Sequence, residues 1–361
     1  MKFLFTYLKG FFGSKENPEK EIGIGTELHL VLNKLVDDAK IPGLAITVLR
    51  AGEVLFQKGY GYASLEDRTP VDPEMTIFRV ASVSKNIAAT ALAIMVKEGL
   101  IDLDTSLYDY VPYFPKKEYD FSIRHLASHT SGIRGYRGKE YALNEPYSIK
   151  EGIAVFKNDD LLFEPGTDYL YTSYNWVLVS LAMQEAAGKP FETYVYEKVL
   201  LPLQMDQTFA EDHGLSDTNQ QMAQFYSKNL LGFRKSVSVN NTYKLAGGGY
   251  LATSADLAKL GNAVLDRSIM DDDVLDQFLT SAIINGTSTY YGLGWQVSQD
   301  KKGRSFYGHV GNGVGGYANL FVYPNEQLVF SIVVNCTHPK VQEELDAVID
   351  LIICDSQKTI V

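Results

Sequence analysis

Phe78-Arg79-Val80-Ala81-Ser82-Val83-Ser84-Lys85 runs straight into Asn86-Ile87-Ala88-Ala89-Thr90-Ala91-Leu92-Ala93-Ile94-Met95. The second half is alanine-rich and free of glycine and proline, which predicts a helix. Ser82 stands where that helix should begin. Lys85 follows three residues later, so the two side chains share a face and can touch. A serine hydroxyl is a weak nucleophile until a neighbour takes its proton. Lysine does so when burial lowers its pKa, because desolvation disfavours the ammonium form. The helix N-terminus adds free backbone N–H groups suited to a developing oxyanion.

The spacing Ser-x-x-Lys recurs by chance in a chain of this length, and Ser298-Gln299-Asp300-Lys301 repeats it here. That copy lies in a polar turn beside Lys302-Gly303, where a lysine stays solvated and protonated. For Ser82 taken alone, the plain alternative is an N-cap serine with an exposed lysine. Context has to separate the two readings.

The chain has 33 basic and 44 acidic residues, a formal charge of −11. Nucleic acid and anionic membranes attract positive surfaces, so neither is expected as the main partner. With 361 residues, 45% hydrophobic and 21% charged, the composition is that of an ordinary globular protein. Two cysteines, Cys336 and Cys354, are too few for a disulfide framework or a cysteine zinc cluster. Unpaired, half-buried thiols are expected. Residues 1–14, MKFLFTYLKGFFGS, are too short to span a bilayer, and Lys9 interrupts the apolar run. No small-x-small cleavage site follows, so residues 1–22 are expected as a loosely ordered or targeting segment, with the compartment left open.

Leu28, Val31, Leu32 and Leu35 recur at helical spacing and predict a first helix, stopped by Pro42-Gly43. Residues 44–50 and 54–60 read as strands joined through Ala51-Gly52. The far end mirrors this arrangement. Residues 305–310, 318–323 and 328–335 read as strands, the last two joined by Pro324-Asn325-Glu326. A closing helix places Val341, Leu345, Val348 and Ile352 on one face. The predicted fold is therefore α+β, with one antiparallel sheet built from both chain ends and flanked by helices. Residues 23–361 read as one catalytic domain, with an α/β part at about 23–85 and 290–361 and a mainly helical insertion at about 86–289. The stretch 108–174 is dense in tyrosine and phenylalanine, which suits a binding crevice and a plain core equally.

Two further features change the weight of Ser82. Phe163-Glu164-Pro165-Gly166-Thr167-Asp168-Tyr169-Leu170-Tyr171-Thr172-Ser173 delivers a tyrosine just before an apolar helix at 176–185. Gly308-His309-Val310-Gly311 ends a strand and opens a glycine-rich loop. With the serine motif, these resemble the three signatures of the serine β-lactamase and penicillin-binding protein superfamily. The resemblance extends from about residue 28 to 335. Ile41-Pro42-Gly43-Leu44-Ala45 resembles the family's opening strand, and Ile123-Arg124-His125-Leu126-Ala127-Ser128-His129-Thr130-Ser131-Gly132 its "RHLLxHTSG" segment. Ala246-Gly247-Gly248-Gly249-Tyr250-Leu251-Ala252-Thr253 and Tyr291-Gly292-Leu293-Gly294-Trp295 fall in the expected order. The chain is most similar to the class C β-lactamase-related group, with its esterases, D-amino-acid peptidases and carboxypeptidases.

The resemblance implies an acyl-enzyme on Ser82, with Lys85 and Tyr171 sharing the proton work as a coupled pair. It also implies an oxyanion hole from the backbone N–H groups of Ser82 and Asn312 beside Gly311, with His309 tuning the tyrosine or touching substrate. No cofactor and no metal are implied, and the partner is a small ester, amide or peptide. Two departures matter. The usual Tyr-x-Asn becomes Tyr171-Thr172-Ser173, and the loss of that amide removes groups that would hold a substrate amide. The shifted reading Ser173-Tyr174-Asn175 breaks the alignment after Pro165-Gly166-Thr167. His309-Val310-Gly311 replaces the Lys-Thr-Gly of true β-lactamases, exchanging a fixed charge for an imidazole and dropping a hydroxyl. Both changes favour a carboxylesterase or peptidase on small acyl or D-amino-acid substrates. The alternatives are a penicillin-binding D-Ala-D-Ala carboxypeptidase or weak β-lactamase, and a non-catalytic penicillin sensor or assembly protein.

Three other patterns carry no chemistry. Gly311-Asn312-Gly313-Val314-Gly315-Gly316 matches a dinucleotide-binding pattern, but a strand and not a helix is expected after it. His125 and His129 lack the glutamate of a zinc-protease helix and read as structural. Asp271-Asp272-Asp273 reads as a solvated loop.

Overall fold

A computed structural model of the protein describes residues 26–211 and 221–358. The N-terminal segment 1–22 expected above lies outside the described residues. Helix α1 (Thr26–Asp37) precedes the hairpin β1 (Gly43–Arg50) and β2 (Glu53–Ser64), with the short β3 (Thr69–Pro70) behind it. Helices α2 (Ser84–Lys97), α3 (Ser173–Ala187) and α4 (Ser254–Leu265) follow. The chain closes with β4 (Gln296–Gln299), β5 (Ser305–Gly313), β6 (Gly316–Tyr323), β7 (Leu328–Val334) and helix α5 (Gln342–Lys358).

These strands form a seven-stranded antiparallel sheet in the order β4-β5-β6-β7-β1-β2-β3. The two chain ends meet in its middle, where Ile46 pairs with Ile332. All seven residues of β7 are buried, because both faces of the sheet are covered. Successive side chains point to opposite faces, so each central strand feeds two cores. Ile46, Val48, Phe330 and Ile332 join Leu28 and Leu32 of α1 and Val348 and Ile352 of α5 on one side. Ala45, Val329 and Val333 join the larger core on the other, with Leu257 and Leu260 of α4.

The middle of the chain is mainly helical, but it also contributes small sheets that periodicity did not predict. Phe78–Arg79 pairs with Tyr250–Ala252, and Tyr226–Asn229 pairs with both Gly232–Lys235 and Cys336–Thr337. Helix α4 also comes from this stretch, yet it lies on the sheet, tied by the Thr47 and Ser254 hydroxyls at 2.9 Å. The aromatic stretch serves both readings. Phe114, Phe121, Phe156 and Tyr174 are core, while Tyr136 and Tyr141 line a crevice.

Two local expectations are corrected. Asp271-Asp272-Asp273 opens a helix, Asp272–Phe278, where acidic side chains favour the first turn. Asp271 and Asp272 pair with Lys97 and Arg267. The cysteines are unpaired but not alike: Cys336 is buried in the core and Cys354 is exposed.

Gly261 sets how closely α4 approaches the sheet. A Cβ there would lie 2.5 Å from Val329 Cγ1 and 3.1 Å from Leu320 Cδ1. Gly261→Val is expected to lower stability by about 1–3 kcal/mol through overpacking, read from the urea midpoint.

Candidate active site

Ser82 lies in a 3₁₀ turn, Ala81–Val83, and α2 begins at Ser84, two residues later than the sequence suggests. Ala81 has φ +45°, a left-handed conformation that is uncommon for a residue with a Cβ. That turn is pinned from above by β5. A Cβ on Gly311 would stand 2.2 Å from the Val80 carbonyl oxygen and 3.1 Å from the Ser82 nitrogen. Only glycine lets the strand approach the turn this closely.

Helix α2 is buried from Ser84 through Ala93, so Lys85 points into protein. Lys85 is fully buried, which removes the alternative of an exposed lysine beside a capping serine. Its Nζ lies 3.1 Å from Ser82 Oγ, donates to the Gly247 carbonyl at 2.6 Å, and stands 3.5 Å from Ser173 Oγ. Burial, with the nearby Lys244 charge, holds its pKa well below the usual lysine value. The second Ser-x-x-Lys behaves oppositely: the Lys301 side chain is 75% exposed.

The Tyr171 hydroxyl reaches Ser82 Oγ at 2.8 Å. Lys85 Nζ stands 4.9 Å from the centre of the Tyr171 ring. Tyr171 keeps 38% of its surface exposed, yet the protein packed around it raises its phenol pKa. Solvent on the open side tempers that rise, but its direction keeps the phenol protonated at neutral pH. The shifted motif has other partners. Tyr174 donates to Glu140 at 2.9 Å, and Asn175 accepts from Ser131 at 2.8 Å.

His309 is buried, and its ring centre lies 5.8 Å from that of Tyr171. Its Nδ1 is 2.8 Å from the Val310 carbonyl oxygen and its Nε2 is 3.0 Å from the Tyr291 hydroxyl. A carbonyl only accepts, which assigns the proton to Nδ1 and leaves Nε2 to accept from Tyr291. Burial and the Lys85 charge push its pKa down to about 3, so the imidazole is neutral. The ring packs against the tyrosine, as a tuning role requires. Gly311 and Asn312 continue along β5, and Asn312 is tied to His338, with Nδ2 3.0 Å from the His338 Nδ1.

Two further residues belong to the site: His129, which the sequence offers only as a structural histidine, and Lys244. His129 sits behind Tyr171, ring centres 4.5 Å apart, and Nδ1 accepts from the Thr172 N–H at 3.3 Å. Burial holds it neutral as well. Lys244 lines the crevice beside Ser82, two residues before a segment quoted only for its glycines. Those quoted segments converge on the site. Gly247 holds Lys85, Tyr291 holds His309, and Gly294 accepts from Asn86 of α2 at 3.1 Å.

A family model described as Beta-lactamase matches residues 30–353. The chain belongs to the Beta-lactamase family. Human mitochondrial serine beta-lactamase-like protein LACTB is 27% identical over 392 residues, covering 82% of this chain and 71% of that protein. The structure of a D-amino acid amidase from Ochrobactrum anthropi SV3 shares the fold with TM-score 0.80 at 20% identity, covering 91% of this chain and 98% of that one. EstCE1, a hydrolase with promiscuous acyltransferase activity, shares it with TM-score 0.76 at 18% identity, covering 90% and 98%. Among the described residues no helix is long and apolar enough to cross a membrane, and no cluster of three or more metal-ligating side chains occurs.

The folded pKa of His309 lies below its unfolded value of about 6.5. Between pH 6.5 and 3 the unfolded chain therefore binds a proton that the folded chain refuses, and stability falls as pH falls. His309→Gln removes this penalty. Urea midpoints between pH 4 and 7 should show a shallower pH slope for that variant, by up to about 1.4 kcal/mol per pH unit.

Proposed function

We propose that the protein is a serine hydrolase that forms an acyl-enzyme on Ser82 and acts as a carboxylesterase or peptidase on small acyl or D-amino-acid substrates. The observation that carries this reading is the convergence of Lys85 Nζ and the Tyr171 hydroxyl on Ser82 Oγ. The amidase and EstCE1 folds are consistent with it.

In this scheme Lys85 starts as a neutral amine. Its two N–H groups point to the Gly247 carbonyl and Ser173 Oγ, which leaves the lone pair for the Ser82 proton. Ser82 Oγ attacks the substrate carbonyl carbon, and its proton passes to Lys85. The oxyanion is held by the N–H groups of Ser82 and of Asn312, the residue after Gly311, which packs against the Ser82 backbone. As the tetrahedral species collapses, the leaving group takes a proton from Tyr171, which is refilled from the Lys85 ammonium. Water then attacks the acyl-enzyme by the reverse route, and Ser82 recovers its proton. Lys85 serves as base and Tyr171 as relay, because burial lowers the lysine pKa and raises that of the phenol.

The neutral His309 supports an esterase or peptidase over a β-lactamase, since no fixed cation stands at that position of β5. Ser173 sits where an amide would hold a substrate amide, which points the same way.

Intact-mass spectrometry after a fluorophosphonate should show one adduct, mapped to Ser82 and missing in Ser82→Ala. An adduct at another residue, or none, rejects the assignment. p-Nitrophenyl ester turnover should be lost in Ser82→Ala, while nitrocefin is turned over slowly if at all.

Tyr171→Phe should lower kcat about 10²–10⁴-fold with a smaller change in KM, as expected when a proton relay is removed. In the parent protein kcat/KM should rise with pH as Lys85 loses its proton, with a midpoint below the usual lysine range. An unchanged rate in Tyr171→Phe contradicts the relay.

A further inference from the structure

The crevice beside Ser82 has a volume of about 200 Å³ and carries a charge opposite to that of the chain. The protein is acidic, at −11, yet Arg79 and Lys244 line this space and no described aspartate or glutamate does. The two cations with fixed neighbours differ in their partners. Arg79 is already paired with Glu211, and the other Glu211 oxygen accepts from Asn241 at 2.6 Å. Lys244 is buried, and its Nζ donates to the Tyr141 carbonyl at 2.9 Å. Among the described residues no carboxylate lies within ion-pair distance of it. A buried cation without a counter-ion costs several kcal/mol and is retained where something uses it.

The crevice also has a defined side. Ser82, Ser173 and Gly313 line it, whereas Tyr171 and His309 do not. A leaving group that takes a proton from Tyr171 departs on the tyrosine side, so the crevice receives the acyl side of the substrate. Lys244 and Ser82 line the same crevice, which places a group bound to Lys244 in the space the acyl portion would occupy.

We propose that Lys244 binds a carboxylate carried by the acyl portion of the substrate, so that the preferred substrates are anionic acyl esters or amides of the dicarboxylic type. This rests on Ser82 accepting the acyl group. The site differs from a lysine on β5: that position holds the neutral His309, and the cation comes from the turn Thr242–Lys244. Lys244 has a pKa lowered to about 8 by burial, with the Glu211 charge working against that fall. It is therefore mainly protonated at neutral pH. Arg79 and Asn241 hold Glu211 in place, which keeps the wall from neutralising its own lysine.

The test compares p-nitrophenyl glutarate with p-nitrophenyl pentanoate, which have the same chain length and differ in the terminal carboxylate. The parent protein should favour glutarate by about 10-fold or more in kcat/KM, mainly through KM. Lys244→Gln should erase that ratio, and Lys244→Arg should restore most of it. A ratio near one in the parent, or a ratio untouched by Lys244→Gln, overturns the proposal. Ser82→Ala supplies a readout without chemistry, by calorimetric titration with monomethyl glutarate and methyl pentanoate. Preferential binding of monomethyl glutarate with no ester turnover in the parent keeps the crevice proposal and rejects the hydrolase reading. Turnover of both esters without preference does the reverse. Equal binding of the two methyl esters to Ser82→Ala also overturns the proposal, whether or not Lys244→Gln folds.

Discussion

Lys85 is held inside the protein with no carboxylate among the described residues paired to it, and the rest of the site follows from that burial. A charged lysine there would cost several kcal/mol, and burial accordingly shifts its pKa well downward. Keeping it buried requires α2 to be enclosed on all sides, unlike an amphipathic surface helix. Helix α3 and the Gly247 segment supply that enclosure. The sheet supports it in turn, because β5 lies on the turn that precedes α2. The free energy spent on burying one lysine is met by two large apolar cores elsewhere.

A second layer holds the tyrosine. His129, Tyr291 and His309 surround the Tyr171 ring, and both histidines are kept neutral by burial. A charged imidazole beside Lys85 would favour deprotonation of the phenol and oppose the lysine charge further. Neutral rings leave the lysine and phenol as the titrating pair next to Ser82. The same neutrality removes the fixed positive charge at the end of β5, so any charge recognition has to come from another wall. Lys244 provides one.

Much of this was legible in the chain itself. Both terminal hairpins and the antiparallel sheet follow from apolar runs bounded by turn residues, and the closing helix follows from a period-3.6 pattern. Ser82, Lys85, Tyr171 and His309 were legible through the order of their motifs. The small sheets of the middle region were not, because two- and four-residue strands are too short to show alternation. Asp271 to Asp273 was misread because a run of carboxylates looks solvated whether it caps a helix or fills a loop. Cys336 and Cys354 could not be told apart, since a lone cysteine shows its depth only through its neighbours.

The sequence by itself determined the sheet and the identity of the serine and lysine one turn apart. These depend on local periodicity and on side-chain chemistry that every reading of the chain retains. Tertiary structure alone decided which Ser-x-x-Lys is buried, because Lys85 and Lys301 have the same local spacing and differ only in what surrounds them. It alone neutralised His309 and His129, and it alone brought Lys244 to the wall beside Ser82. Those outcomes depend on desolvation and on charges distant in sequence, and neither exists until the chain ends have met and closed over α2.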